Sequence, residues 1–363
     1  MKYPRPKFGD SSIKKQHAAF GNFAPLFDSE ITPRNNFLRN LKREKPIWFP
    51  NGITDKVTIT PNEAILHNVR GMQLHSDFKS QATEDYTFKD WFNTDWTWVY
   101  EARGAMLTPG TQLLDDVTKW EKVVKFPVLS EWGIEEKAAE NMNTLYDPNK
   151  LLTYDMGRGV TERLVSVMGG YTDALPALLM EPEAVLDFHN RYADFMIEFL
   201  ERMFSLYPLD LITIHDDWGT ERDTFFSEKV MEELVFEPTK RVFDFIKSKG
   251  AFVELHTCGN VTRFFPYMCE LGVDIAQVQR RAVDMPEMKK QFGDSIGFCT
   301  WLEDINVLMT PTYDEYMESV KKTVDLYTPN GVGYLSMMIS DQEALWDACT
   351  ENYYRSRDIL KNN

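Results

Sequence analysis

Short apolar runs alternate with longer stretches in which apolar residues return every third or fourth position, most clearly in the second half of the chain. The runs at residues 151–155, 211–214, 252–255, 273–278, 296–298 and 332–335 predict strands buried on both faces, as in a parallel sheet. The stretches between them predict helices. One covers residues 182–206, opened by Glu181-Pro182-Glu183 with Pro at the first helical position and acids at the positive helix end. Others cover residues 236–249, stopped by Gly250, then 264–271, a short segment before Gly293, 313–327 and a closing 341–360. Near the start, Thr32 is an N-cap and Pro33 suits the first turn of a helix running through Leu41. Lys45-Pro46 ends that helix, and residues 47–49 predict a short strand closed by Pro50. Residues 51–150 carry a poorer pattern: alternation at 94–100, a Thr108-Pro109-Gly110 turn, and a helix expected after Gly157-Arg158-Gly159.

About eight strand candidates alternating with helices predict an α/β fold, a (β/α)8 barrel of the TIM type. The expected organisation is an irregular arm over residues 1–30 and a single barrel domain over 31–363. No G-x-G-x-x-G follows a first strand, so a dinucleotide site is unsupported. Chemistry in such a barrel sits at the C-terminal ends of the strands, which is where polar residues matter.

Composition narrows the picture. A net charge of −16 and a pI near 4.9 argue against nucleic acid, whose phosphates would be repelled. No apolar run reaches the ~18–20 residues of a membrane span, and the polar first residues lack the apolar core of a secretory signal. A cytoplasmic protein is therefore expected, and a homodimer is compatible with the chain. Four cysteines (Cys258, Cys269, Cys299, Cys349) are too few for a disulfide framework in 363 residues. Cys269 and Cys349 fall in helices and are expected to be packing residues.

The main chemical signal is Glu254-Leu255-His256-Thr257-Cys258-Gly259-Asn260. Along an extended chain, positions i and i+2 point the same way, so His256 and Cys258 can both face the barrel mouth. Imidazole and thiolate are good zinc ligands, and Gly259 lets the chain turn at once. The bland alternative is a core Cys beside a hydrogen-bonded His. Cys299 follows the strand at 296–298, 40 residues beyond Cys258 (299 − 258 − 1) and so about two β/α units on. It can converge on the same mouth, or it can be a small buried hydrophobe. His215-Asp216-Asp217-Trp218-Gly219 closes the strand at 211–214. Asp216 and Asp217 are candidates for metal ligation, for orienting a ligand His, or for proton donation; capping of a turn or helix is the alternative. Asp155, Arg158 and Trp218 are candidate substrate contacts. Glu303, Asp304 and the Met337-Met338 pair are further candidates.

Several of these segments together resemble the uroporphyrinogen decarboxylase-like superfamily. They are Thr32-Pro33-Arg34-Asn35-Asn36-Phe37-Leu38 with Lys45-Pro46, then His215 to Gly219, His256 to Asn260, and the stretch from Gly331 to Met338. The resemblance implies a (β/α)8 barrel and either decarboxylation or corrinoid-dependent methyl transfer. The Arg-rich N-terminal signature of the decarboxylases is missing, and an H-x-C pair with a later Cys is similar to the methyltransferase branch. No Cys stands in Asn330-Gly331-Val332-Gly333-Tyr334, where the thiol-methylating members place one. The spacing is more similar to the first methyltransferases of bacterial O-demethylase systems. That likeness implies zinc on His256, Cys258 and Cys299, and methyl transfer from a phenyl methyl ether such as vanillate or veratrol. The implied acceptor is the cob(I)alamin of a separate corrinoid protein. Asp187-Phe188-His189-Asn190-Arg191-Tyr192 lacks the Gly of a cobalamin-binding D-x-H-x-x-G, so the cobalamin is expected on a partner. The rival readings are a methyl-corrinoid:thiol methyltransferase, a metal-free decarboxylase of the same fold, and a purely structural zinc site.

Overall fold

The computed structural model describes residues 6–10, 12–17, 22–59, 84–101, 104–304, 311–337 and 339–362. Among the described residues, seven parallel strands form one sheet in strict chain order. They are β1 (Lys56–Ile59), β2 (Leu151–Gly157), β3 (Leu211–His215), β4 (Phe252–Thr257), β5 (Ile275–Val278), β6 (Gly297–Thr300) and β7 (Gly333–Leu335). The sheet curls back on itself. Asn51, just before β1, makes a parallel bridge to Leu335 in β7, with Gly52 N–H donating to the Leu335 carbonyl (2.9 Å) and Leu335 N–H to Pro50 (2.9 Å). This is an α/β barrel of the (β/α)8 type.

Helix α1 (Pro33–Leu41) starts as the sequence predicts, with Thr32 Oγ1 accepting from Asn35 N–H. Its polar residues bolt the lower end of the barrel. Arg34 forks onto Asp210 at 2.9 and 2.7 Å, and Asp210 in turn accepts from Leu152 N–H at the head of β2. Asn40 clamps the last strand, donating to the Gly331 carbonyl (2.8 Å) and accepting from Gly333 N–H (2.7 Å). Asn36 accepts from Ile47 N–H (2.7 Å), and Asp55 accepts from Asn51 N–H and from the Trp48 indole. That is why residues 47–49 are not the expected strand: side chains take the backbone groups a ladder would need.

The outer helices are α2 (Val160–Val167), α3 (Tyr171–Met180), α4 (Pro182–Leu206), α5 (Phe236–Ser248), α6 (Phe265–Leu271), α7 (Met285–Phe292), α8 (Tyr313–Tyr327) and α9 (Gln342–Asn362). Helix α4 turns Phe188, Tyr192, Phe195, Met196 and Phe199 into the core. Each such side chain contributes about 1.5–3 kcal/mol by leaving water. Residues 94–100 become the middle strand (Asp95–Val99) of an antiparallel meander with Tyr86–Lys89 and Gly104–Leu107. The meander is fastened to the barrel by a wholly buried ion pair, Arg163 to Asp90 at 2.7 Å, with the Arg163 guanidinium 4.2 Å over the Phe92 ring. Of the arm, Lys15–His17 and Phe23–Pro25 form a small hairpin, and Phe23 is held to α9 through the Gln342 amide. No described helix is long and apolar enough to cross a membrane.

Candidate metal centre at the barrel mouth

Strands β3 and β4 end side by side, with His215 opposite His256 in the register and their rings 4.6 Å apart. Beyond the strand ends the two loops touch through glycines. Gly259 has φ +86°, and a Cβ there would stand 2.1 Å from the Gly219 backbone. Only glycine permits both the left-handed turn and the approach. This contact draws Asp217 onto the H-x-C segment. Asp217 Oδ1 accepts from Cys258 N–H at 2.8 Å and lies 3.9 Å from His256 Nε2. Cys258 Sγ is 3.4 Å from the same nitrogen. The donor atoms of Asp217, His256 and Cys258 all lie within 4.8 Å of one another, with Asp217 buried and the other two half-buried.

The donor set fits zinc in kind and in size. A tetrahedral ion with Zn–S near 2.3 Å and Zn–N near 2.0 Å holds S and N about 3.5 Å apart, and N and O slightly closer. The thiol and imidazole already stand at that separation, and the carboxylate oxygen, at 3.9 Å from the imidazole nitrogen, lies a little beyond it. Three protein ligands of this kind leave a fourth position for a substrate atom.

Behind His256 the barrel interior is polar. His256 Nδ1 lies 2.6 Å from Gln277 Oε1 on β5. The Gln277 amide nitrogen donates to Glu254 Oε1 at 2.9 Å. Glu254 also accepts from Tyr334 OH (2.7 Å) and Thr213 Oγ1 (3.0 Å), and Lys56 Nζ donates to Tyr334 OH (3.3 Å). Burial raises the Glu254 carboxyl above its ordinary range, while Lys56 opposes the rise. Gln277 was not singled out by sequence, and Glu254 stood in the H-x-C segment without an assigned role. A Gln within an apolar strand carries no motif, and its meaning appears only when the register sets it opposite His256.

The other sequence candidates fall elsewhere. Cys299 was expected beside the metal, and the structure does not bring it there. Strand β6 continues to Thr300, so Cys299 lies inside the strand and is fully buried. It packs with Phe37, Leu151, Leu211, Ile275 and Tyr334, with the Gln277 amide 3.7 Å from its sulfur. Burial and the neighbouring Glu254 push its thiol up to about 12. Asp216 points away from Asp217 and caps α2, accepting from Glu162 N–H at 2.8 Å and from Thr161 Oγ1. Trp218, expected at the substrate, is wholly buried. Its indole donates to Asp216 (3.0 Å) and its ring packs edge-on against Phe264. Arg158 is nearly buried with φ +78°, its guanidinium 3.9 Å over the Trp96 ring of the meander. Asp155 stands on β2 opposite Thr213, where its charge helps keep Lys56 protonated. Glu303 accepts from Arg280 and Tyr327, Asp304 pairs with Lys322, Met337 is buried, and Met338 lies outside the described residues.

Residues 163–336 match the family model for uroporphyrinogen decarboxylase (URO-D). A methyltransferase from Methanosarcina mazei has the same fold, with a TM-score of 0.58 at 14% identity over 92% of this chain and 100% of that one. Over residues 163–336, just under half of its length, the chain is similar to the uroporphyrinogen decarboxylase family. A 3-keto-L-gulonate-6-phosphate decarboxylase from Vibrio cholerae aligns with a TM-score of 0.30 at 8% identity, covering 62% of this chain and 79% of that one. No protein of curated function is matched by the sequence. Within this barrel, the N-terminal motif around Asn36 and Asn40 is a closure device at the lower end, and the two glycine-bearing loops build the mouth.

Proposed function

We propose that this protein is a member of the uroporphyrinogen decarboxylase-like superfamily and a zinc-dependent methyltransferase that moves a methyl group from a phenyl methyl ether to the cob(I)alamin of a separate corrinoid protein. The observation that carries the reading is the convergence of Asp217, His256 and Cys258 at the barrel mouth. Those three residues would hold the zinc, in place of the set with Cys299. The fold shared with a methyltransferase supports the same branch.

When bound, zinc supplies Lewis acidity at the ether oxygen, where negative charge develops as aryloxide departs. The C–O bond breaks with both electrons left on oxygen. A cob(I)alamin presented by the partner would supply the electron pair that the methyl carbon accepts, and the aryloxide would take its proton from solvent. The protein's part is positional. Asp217 holds the Cys258 loop through its N–H, and Gly219 against Gly259 fixes both loops at one distance. Arg158, on the segment that donates Gly159 N–H to the His215 carbonyl (2.6 Å), and Trp96 stacked on it would wall the donor's side of the mouth.

The test is an absorbance assay for methylcobalamin with zinc-loaded and chelated protein, cob(I)alamin, and vanillate or veratrol. Methyl transfer that stops on chelation and returns with zinc is expected. Carbon dioxide released from a porphyrinogen by metal-free protein, with no methyl transfer from any methoxyaromatic, would replace the reading with decarboxylation. Methylation of a thiol from methylcobalamin, without ether cleavage, would reverse its direction.

A further inference from the structure

We propose that Gln277 is a positioning residue that fixes the imidazole tautomer of His256, with Glu254 as the anchor that decides which way the Gln277 amide faces. The inference rests on the metal reading of the mouth for its consequence, but not for its geometry.

An amide side chain has one donating and one accepting end, and its neighbours decide which end faces which. Glu254 Oε1 lies 2.9 Å from the Gln277 nitrogen. It also accepts from Tyr334 OH, while its other oxygen accepts from Thr213. A flipped amide would set its carbonyl against that carboxylate. The nitrogen therefore faces Glu254, with Tyr334 OH at 3.4 Å and the Cys299 sulfur at 3.7 Å beside it. The carbonyl faces His256 Nδ1 at 2.6 Å. A carbonyl only accepts, so Nδ1 carries the hydrogen. In the neutral ring that leaves the lone pair on Nε2, the atom turned to Cys258 Sγ and Asp217 Oδ1. A ring with its hydrogen on Nε2 would present a donor where a metal needs an acceptor. Partners of this kind, one step removed from the ion, set ligand orientation and affinity by about 10- to 100-fold.

The experiment uses the whole metal-free protein labelled with 15N-histidine, which gives six imidazoles to resolve. Proton–nitrogen correlation spectra are recorded at about pH 8.5, above the ordinary imidazole range, and a His256→Gln variant identifies the signal. His256 is expected in the Nδ1–H form in the wild type and in Gln277→Glu, whose carboxylate still accepts. In Gln277→Met it should gain the Nε2–H form. Zinc affinity by chelator competition should fall about 10- to 100-fold in Gln277→Met and stay within a few-fold in Gln277→Glu. An Nε2–H ring in the wild type, or the same tautomer in Gln277→Met as in the wild type, overturns the inference. If Gln277→Met does not fold, the wild-type and Gln277→Glu spectra still decide, because loss of the Nδ1–H form in either is fatal. If the tautomer behaves as expected but no variant and no wild type binds zinc, the positioning role stands and the metal reading fails.

Discussion

Cys258 and Cys299 look alike in the sequence, each following an apolar strand, and the structure puts them in different chemistry. Cys258 is one residue past the end of β4, half-buried, with its sulfur 3.4 Å from His256 Nε2. Cys299 is inside β6, walled by apolar side chains and by the Gln277 amide. The register explains the difference. Ala276 pairs with Phe298, so one step on brings Cys299 level with Gln277, which itself pairs with His256. Cys299 is then two strands from His256 around the barrel wall, about 10 Å at the usual strand spacing, with Gln277 between them. In a barrel, a thiol joins a site at the mouth by standing past the strand end, and equal spacing in sequence is not enough.

The largest expected effect comes from exchanging the two thiols for hydroxyls. Cys258→Ser should lose bound zinc by more than the ~100-fold that removal of a merely supporting partner costs. Cys299→Ser should keep its zinc within a few-fold. Elemental analysis after dialysis, beside thermal melts to establish folding, makes the measurement. Zinc retained in Cys258→Ser and lost in Cys299→Ser would invert the contrast and restore Cys299 to the metal.

The adjacent acids repeat the contrast one strand earlier. Asp217 faces the mouth, whereas Asp216 spends its oxygens on the Thr161 hydroxyl, the Glu162 N–H and the Trp218 indole. Asp217→Asn is expected to weaken zinc by about tenfold or more, because it removes a charged ligand. Asp216→Asn should leave zinc affinity unchanged and cost about 1–3 kcal/mol of stability by leaving buried donors poorly met. Chelator competition and urea unfolding on both variants separate the roles. A metal effect at Asp216 equal to that at Asp217 would mean that the loop acts as one unit.

What the sequence made legible, and what it did not, follows the same physics. The parallel strands were readable because burial on both faces leaves continuous apolar runs, as in Leu211–His215 and Phe252–Thr257. The H-x-C pair was readable because strand period two is local. Strand β1 was not expected. Its Lys-Val-Thr-Ile (Lys56–Ile59) turns polar groups into the barrel, where Thr58 meets Thr153 at 2.9 Å, so the apolar signature is absent. Cys299 was misplaced by a strand boundary two residues short, Phe298 for Thr300. The choice between Asp216 and Asp217, and the role of Gln277, depend on partners tens of residues away and have no local signal.

The smallest effect sharpens the comparison most, because its sign depends on the metal. In metal-free protein, Cys299→Ala removes a buried sulfur among Phe37, Leu151, Leu211 and Ile275 and should cost about 1 kcal/mol, in line with small core deletions. Cys258→Ala, half-exposed at the mouth, should stay within about 0.5 kcal/mol. On the proposed reading zinc would bind only the folded state, so at a free concentration near 100 times its dissociation constant it would add about 2.7 kcal/mol to any chain that still holds it. Cys299→Ala keeps that increment and Cys258→Ala forfeits it, so the order of the two variants reverses when zinc is added. Urea unfolding of both, with and without zinc, reads the reversal. An unchanged order would mean that the stabilising ion, if any, is not held through Cys258. A reversal without methyl transfer would leave the metal site standing and the reaction to be found.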